Sequence, residues 1–201
     1  VSSVLKSLTA RLLAIAGLVL ALVVFAGCSS PDLEATSTAR AAPTPTTVSE
    51  LGVLDLLSSA EIGQVTSEDV SFKQVRDMKA LLAEETPERF KGVDAWFSVS
   101  YSDRSENRSV SLSVIDFDRA FTANASLHGF RLGLSAEAME YPVGDSSATA
   151  VMGEPATAAI VIFVKGDKHI QIFSDVFEGS DPPLTDIDGL LELARLVESR
   201  L

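Results

Sequence analysis

Twenty-three residues, Ala95 to Phe117, constrain the fold of this chain more than any other stretch. In Ala95–Ser102, Ala95, Phe97, Val99 and Tyr101 alternate with Trp96, Ser98, Ser100 and Ser102. In Ser109–Phe117, Val110, Leu112 and Val114 alternate with Ser109, Ser111, Ser113, Ile115 and Phe117. A period of two marks strands whose side chains point in turn to two faces. The polar run Asp103–Arg108 between them reads as the loop of an antiparallel hairpin. One register satisfies both patterns: Phe97 opposite Val114, Val99 opposite Leu112 and Tyr101 opposite Val110. On the reverse face it sets Trp96 against Ile115, Ser98 against Ser113 and Ser100 against Ser111. A slip of one residue would turn serines into the core, so this register is the expected one.

The flanking segments supply the rest of the domain. Ser58 with Glu61 three residues on fits a capping box, which predicts a short helix over Ser59–Val65. Phe72, Val75, Met78, Leu81 and Leu82 recur at helical spacing, predicting a helix over Phe72–Glu84 that Pro87 closes. Asp118 stands where the N-cap of a helix running to about Gly129 would stand. Ala148–Met152 reads as a short strand. Ala158–Lys165, apolar at both parities, reads as a central strand covered on two sides. Gly166-Asp167 makes a two-residue turn into Lys168–Ser174. After Pro182-Pro183, a stripe of Ile187, Leu190, Leu191, Ala194, Val197 and Leu201 predicts a helix over Thr185–Leu201.

Helices, a strand pair, a helix, three or four strands and a final helix make an α+β layout, an antiparallel sheet flanked by helices. A doubly covered strand calls for helices on both faces, an α/β/α sandwich. By element order, residues 51–201 are similar to the small sandwich of the PsbP and Mog1 type, which recurs among bacterial lipoproteins. That resemblance implies a binding or assembly role more than catalysis.

The N-terminal end carries an address. Lys6 and Arg11 precede fifteen residues, Leu12–Ala26, that hold only Leu, Val, Ile, Ala, Phe and one Gly. A charged start and a short apolar run make a secretory signal, and the run is shorter than the ~20 residues a spanning helix needs. It ends in Phe25-Ala26-Gly27-Cys28, which resembles the lipobox of bacterial lipoproteins, with Phe25 where that family usually has Leu. The resemblance implies cleavage before Cys28, acylation of its thiol and amine, and a place in the cell envelope on the extracytoplasmic face of the membrane. Residues 29–50 are rich in Ser, Thr, Ala and Pro, a composition that cannot offset the entropy of ordering. The expected organisation is a signal peptide over 1–27, a lipidated cysteine and tether over 28–50, and one globular domain over 51–201.

Removing Lys6 and Arg11 from 16 basic residues leaves 14 against 28 acidic, a formal charge of −14. Nucleic acid and anionic membrane surfaces are thereby disfavoured as partners, because each contact would have to overcome repulsion from a strongly acidic body; cationic and neutral partners stay open. Cys28 is the lone cysteine, so neither disulfides nor thiolate metal sites contribute. The expected partners are the membrane, through the lipid on Cys28, and an unidentified small ligand or envelope protein.

No catalytic constellation is complete. Asp116 and Asp118 have a spacing suited to a divalent cation or an acid–base pair, but no third ligand stands in fixed relation to them, and cap and strand-end roles explain both. Asp186-Ile187-Asp188-Gly189 lacks the Gly and Glu positions of a calcium loop and reads as an acidic first turn. Gly144-Asp145-Ser146-Ser147 lacks the context of a nucleophile elbow. A serine nucleophile would need His128 or His169; the first is expected at a helix end, the second at the sheet rim. No cofactor and no metal site is expected. A non-enzymatic binding or interaction domain is the favoured reading, beside an envelope assembly factor and a weak hydrolase. The candidate binding face is Trp96, Ser98, Ser100, Ser111 and Ser113, hydroxyls beside an aromatic platform; against it stands a solvated outer face with Trp96 tucked under a helix.

Overall fold

The serine and apolar alternation becomes two long paired strands, β2 (Val93–Asp103) and β3 (Arg108–Phe117). Their register is the expected one, Phe97 with Val114, Val99 with Leu112 and Tyr101 with Val110, with Ser98–Ser113 and Ser100–Ser111 on the reverse face. The computed structural model describes residues 50–83, 92–134, 136–138, 143–177 and 181–201. The signal, the tether up to Ser49 and the helix stop at Pro87 lie outside them.

Around this hairpin stand α1 (Glu50–Leu56), α2 (Ser59–Thr66), β1 (Val70–Asp77), α3 (Met78–Ala83), α4 (Ala120–Leu134), β4 (Glu137–Ala138), β5 (Ser146–Met152), β6 (Ala158–Lys165), β7 (Lys168–Val176) and α5 (Ile187–Glu198). The described strands form one antiparallel sheet in the order β1-β2-β3-β7-β6-β5-β4. On one face, Val99, Leu112, Val161, Phe163, Ile170 and Ile172 meet Leu57 and Ile62 of the α1–α2 region and Leu190, Leu193, Ala194 and Val197 of α5. Burying each such Leu, Ile or Phe stabilises by about 1.5–3 kcal/mol, which is what fixes α5 to the sheet. On the other face, Trp96, Ile115, Phe117, Ile162 and Val164 meet Ala123, Leu127 and Phe130 of α4, with Met78 and Leu82 of α3 packed alongside. The result is an α/β/α sandwich. β6 is buried at every position from Ala158 to Val164, as its two-sided apolar pattern requires.

Local chemistry sets the element ends. The Ser58 hydroxyl and the Glu61 carboxylate form the reciprocal capping box that starts α2. Arg200, just past α5, bonds the same Glu61 carboxylate and donates to the Leu56 carbonyl at 3.0 Å, tying the last helix to the first two. The hydrogen bonds from Arg200 and then Ser58 hold the Glu61 carboxyl down at about 2. At the hairpin tip, buried Asp103 accepts from the Asn107 and Arg108 amides, from Ser105 Oγ at 2.8 Å and from Arg108 Nε at 3.1 Å. Burial would raise this carboxyl, but the bonds from Ser105 and Arg108 prevail and hold it below its ordinary value.

Two expectations give way. Phe72–Asp77 is strand rather than helix, and the helix that follows is only Met78–Ala83. The cause is a bulge: the pairing of β1 with β2 shifts between Phe72 and Gln74, so Phe72 opposes Tyr101 and Val75 opposes Val99 on one face although three residues separate them. A bulge adds one residue to a period of two and mimics helical spacing. The helix after β3 also begins later and runs further than expected. Thr122 and Ala123 amides donate to the Arg119 carbonyl, Asp118 instead accepts from Thr122 Oγ1 at 3.3 Å, and the helix continues through Gly129 to Leu134.

Candidate functional site

Because cross-strand partners share a face, the pairings fix what the α4 side of the sheet presents. Reading across β1, β2, β3, β7 and β6, one row is Arg76, Ser98, Ser113, Gln171 and Ile162; the next is Gln74, Ser100, Ser111, Phe173 and Ile160; the third is Ser71, Ser102, Ser109, Asp175 and Ala158. The face is polar on β1 to β3 and turns apolar on β6. α4 packs over β5, β6 and β7 and α3 over the β1–β2 end, so the serines of β2 and β3 form a floor between two helices. Ser98, Ser100, Ser111 and Ser113 are half-buried.

Trp96 is not part of the open surface. It is only 6% exposed, packs in the α3–α4 core and donates its indole N–H to Ser113 Oγ at 2.7 Å. The ring therefore anchors one end of the floor and leaves its remaining serines to face outward. At the opposite end Ser109 Oγ bonds the Asp175 carboxylate, whose pKa burial raises. Beside it Ser102 Oγ is buried with no hydrogen-bond partner among the described residues.

His169 is where the sequence reading missed most. It is fully buried, not at the rim, and lies beneath α4 with Ser126 Oγ 2.8 Å from Nδ1, the Gln171 amide nitrogen 3.4 Å from Nε2 and the Phe130 ring edge-on at 5.3 Å. Burial pushes its pKa down to about 3. With Gln171 donating to Nε2, the ring donates from Nδ1 to Ser126, the reverse of what activating a serine requires. The missed signal was parity: Ile170 and Ile172 face α5, which sends His169 and Gln171 to the α4 side.

The remaining candidates are held apart from one another. His128 is exposed in the middle of α4, not at its end. Ser146 Oγ donates to Asn124 Oδ1 at 3.2 Å, and Ser147 Oγ accepts from the Val143 amide. Asp116 is buried with Lys168 Nζ 3.5 Å away. Asp186 caps α5 through the Gly189 amide at 3.1 Å. Among the described residues no group of three or more His, Cys, Asp or Glu is placed to hold a metal ion, and no helix is long and apolar enough to cross a membrane.

No protein-family model and no curated protein matches the chain. Among solved structures, it is similar to the extracellular domain of PknH from Mycobacterium tuberculosis, with 14% identity and a TM-score of 0.48 over 77% of this chain and 96% of that one.

Proposed function

We propose that this chain is a lipid-anchored, extracytoplasmic, non-enzymatic domain that binds a small polar ligand on the serine floor between α3 and α4. The observation that carries the reading is the contrast within one sheet face: its β6 half is sealed by α4, while its β2–β3 half keeps the half-buried hydroxyls of Ser98, Ser100 and Ser111. Serine hydroxyls both donate and accept, Gln74, Arg76 and Gln171 border them, and Phe173 supplies an apolar edge. The address rests on the signal sequence and on the lipobox resemblance at Cys28. Non-enzymatic action is supported by the sealing of His169 beneath α4 and by the partners of the other candidates, Asn124 for Ser146 and Lys168 for Asp116.

A thermal-shift screen with neutral saccharides, amino acids and short peptides tests this. A ligand at a hundred times its Kd stabilises by about 2.7 kcal/mol, about 5–10 °C for a domain of this size. Ser111→Val, which removes one floor hydroxyl and keeps strand propensity, is expected to abolish that shift and leave the ligand-free Tm within a few degrees. An unmoved Tm across the panel, together with an envelope protein that co-purifies stoichiometrically, would replace ligand binding by an assembly role.

A further inference from the structure

The outer surface of α4 stands out against an acidic chain. Phe121 is 77% and Leu132 70% exposed, and eleven residues of helix bring them to one face about 16 Å apart, with Ala125 and His128 between. α4 contains no carboxylate, as the short α3 also does not, whereas α1, α2 and α5 each carry at least one. Asp118, just before it, is engaged with Arg119 at 3.7 Å and with Thr122. Near the C-terminal end, His128, Arg131, Leu132 and Ala136 line an open depression of ≈ 320 Å³. Arg131 Nε is buried in its wall and has no hydrogen-bond partner among the described residues. A hollow with Arg131 in its wall beside exposed Leu132, and with exposed Phe121 further along the same helix face, matches a phospholipid surface in both parts, phosphate for Arg131 and acyl chains for Leu132 and Phe121.

We infer that the outer face of α4 rests on an anionic phospholipid surface and sets the orientation of the tethered domain. The inference rests on the lipid-anchor reading above. Twenty-one residues stand between Cys28 and Glu50, and a coil of that length spans about 25 Å on average. At that range the acidic character of the whole chain does not forbid contact. Charges on the far side of the domain lie beyond a Debye length of about 8 Å, while repulsion of the carboxylate-bearing faces turns the acid-free helix toward the bilayer. The serine floor lies on the same side of the sheet as α4, so its ligand would be met close to the membrane.

The test uses the full chain, acylated at Cys28 and carrying Phe121→Trp, in vesicles of phosphatidylglycerol and phosphatidylcholine or of phosphatidylcholine alone. Buried Trp96 supplies the background, measured on the unsubstituted protein. In anionic vesicles the introduced indole is expected to shift its emission to the blue and to be quenched by lipids brominated in the acyl chain. Both effects are expected to vanish with Arg131→Glu, at high salt, and in phosphatidylcholine alone. Leu132→Trp is a second reporter and is expected to behave alike. A water-exposed indole on protein whose mass confirms acylation overturns the docking of α4 and leaves the anchor intact. Protein that lacks the lipid and stays in the supernatant overturns both. A blue shift without quenching by brominated lipid, growing with protein density, means that a second copy covers the helix, and also overturns the inference.

Discussion

Acidification from pH 7 to pH 4.5 is expected to remove about 2–3 kcal/mol of stability through His169 alone, and roughly 4–5 kcal/mol by pH 3. The folded imidazole, fully buried, takes a proton only near pH 3, while the unfolded one takes it near 6.5. Between those values the unfolded state holds more protons, so stability rises with pH across the window and is fully present above it. Glu61 and Asp103, both held low, add losses at the acid end. Asp175, raised by burial, acts in the opposite sense. Urea denaturation of the protein and of His169→Gln at pH 7 and 4.5 isolates the histidine. The variant is expected to lose about 2–3 kcal/mol less between the two, and equal losses would mean that the imidazole is reachable by solvent.

Gly144→Ala is expected to cost about 4 kcal/mol, about 8–16 °C in Tm. Gly144 has φ of +67°, and a Cβ there would stand 2.3 Å from the Val164 carbonyl oxygen and 2.9 Å from the Phe163 ring. Both neighbours belong to β6, the most buried strand, and the Val164 carbonyl already accepts from the Asp145 amide at 2.7 Å. Relief would have to move the centre of the sheet. The positive φ alone accounts for about 1–2 kcal/mol, and Gly166→Ala measures that share, since Gly166 has φ of +60° with nothing within 4 Å of its Cβ. Thermal melts of the two variants are expected to differ by more than a factor of two in their effect; equal effects would show that the β5 entry yields.

The comparison of sequence and structure turns on parity. β2 and β3 were legible because serine and apolar residues alternate without interruption, so a single register keeps six serines off the core. β1 was not, because the bulge at Lys73 breaks the alternation and leaves Phe72 and Val75 spaced as on a helix. The same rule separates what could be read of the site from what could not. The serine floor follows from strand parity, whereas the fate of Trp96 and His169 depended on which helices lie above them. The Phe130 ring covers His169 only because α4 runs on through Gly129 to Leu134, and glycine in a sequence reads as a stop. The exposed stripe of α4 was hidden in a different way, since Phe121 and Leu132 look like core residues until the inner face is seen to be filled by Ala123, Leu127 and Phe130.

The proposed membrane tethering links the serine floor, the outer face of α4 and the proposed role, and that proposal rests on the chemistry of Cys28. The intact mass and N-terminal peptide of the protein extracted from membranes test it most directly. The expected result is a chain beginning at Cys28, with a diacylglycerol in thioether linkage and an acyl chain on its amine, and release into the soluble fraction or retention of the uncleaved signal in Cys28→Ser. A membrane-extracted chain that keeps residues 1–27 and bears an unmodified Cys28 thiol would contradict it.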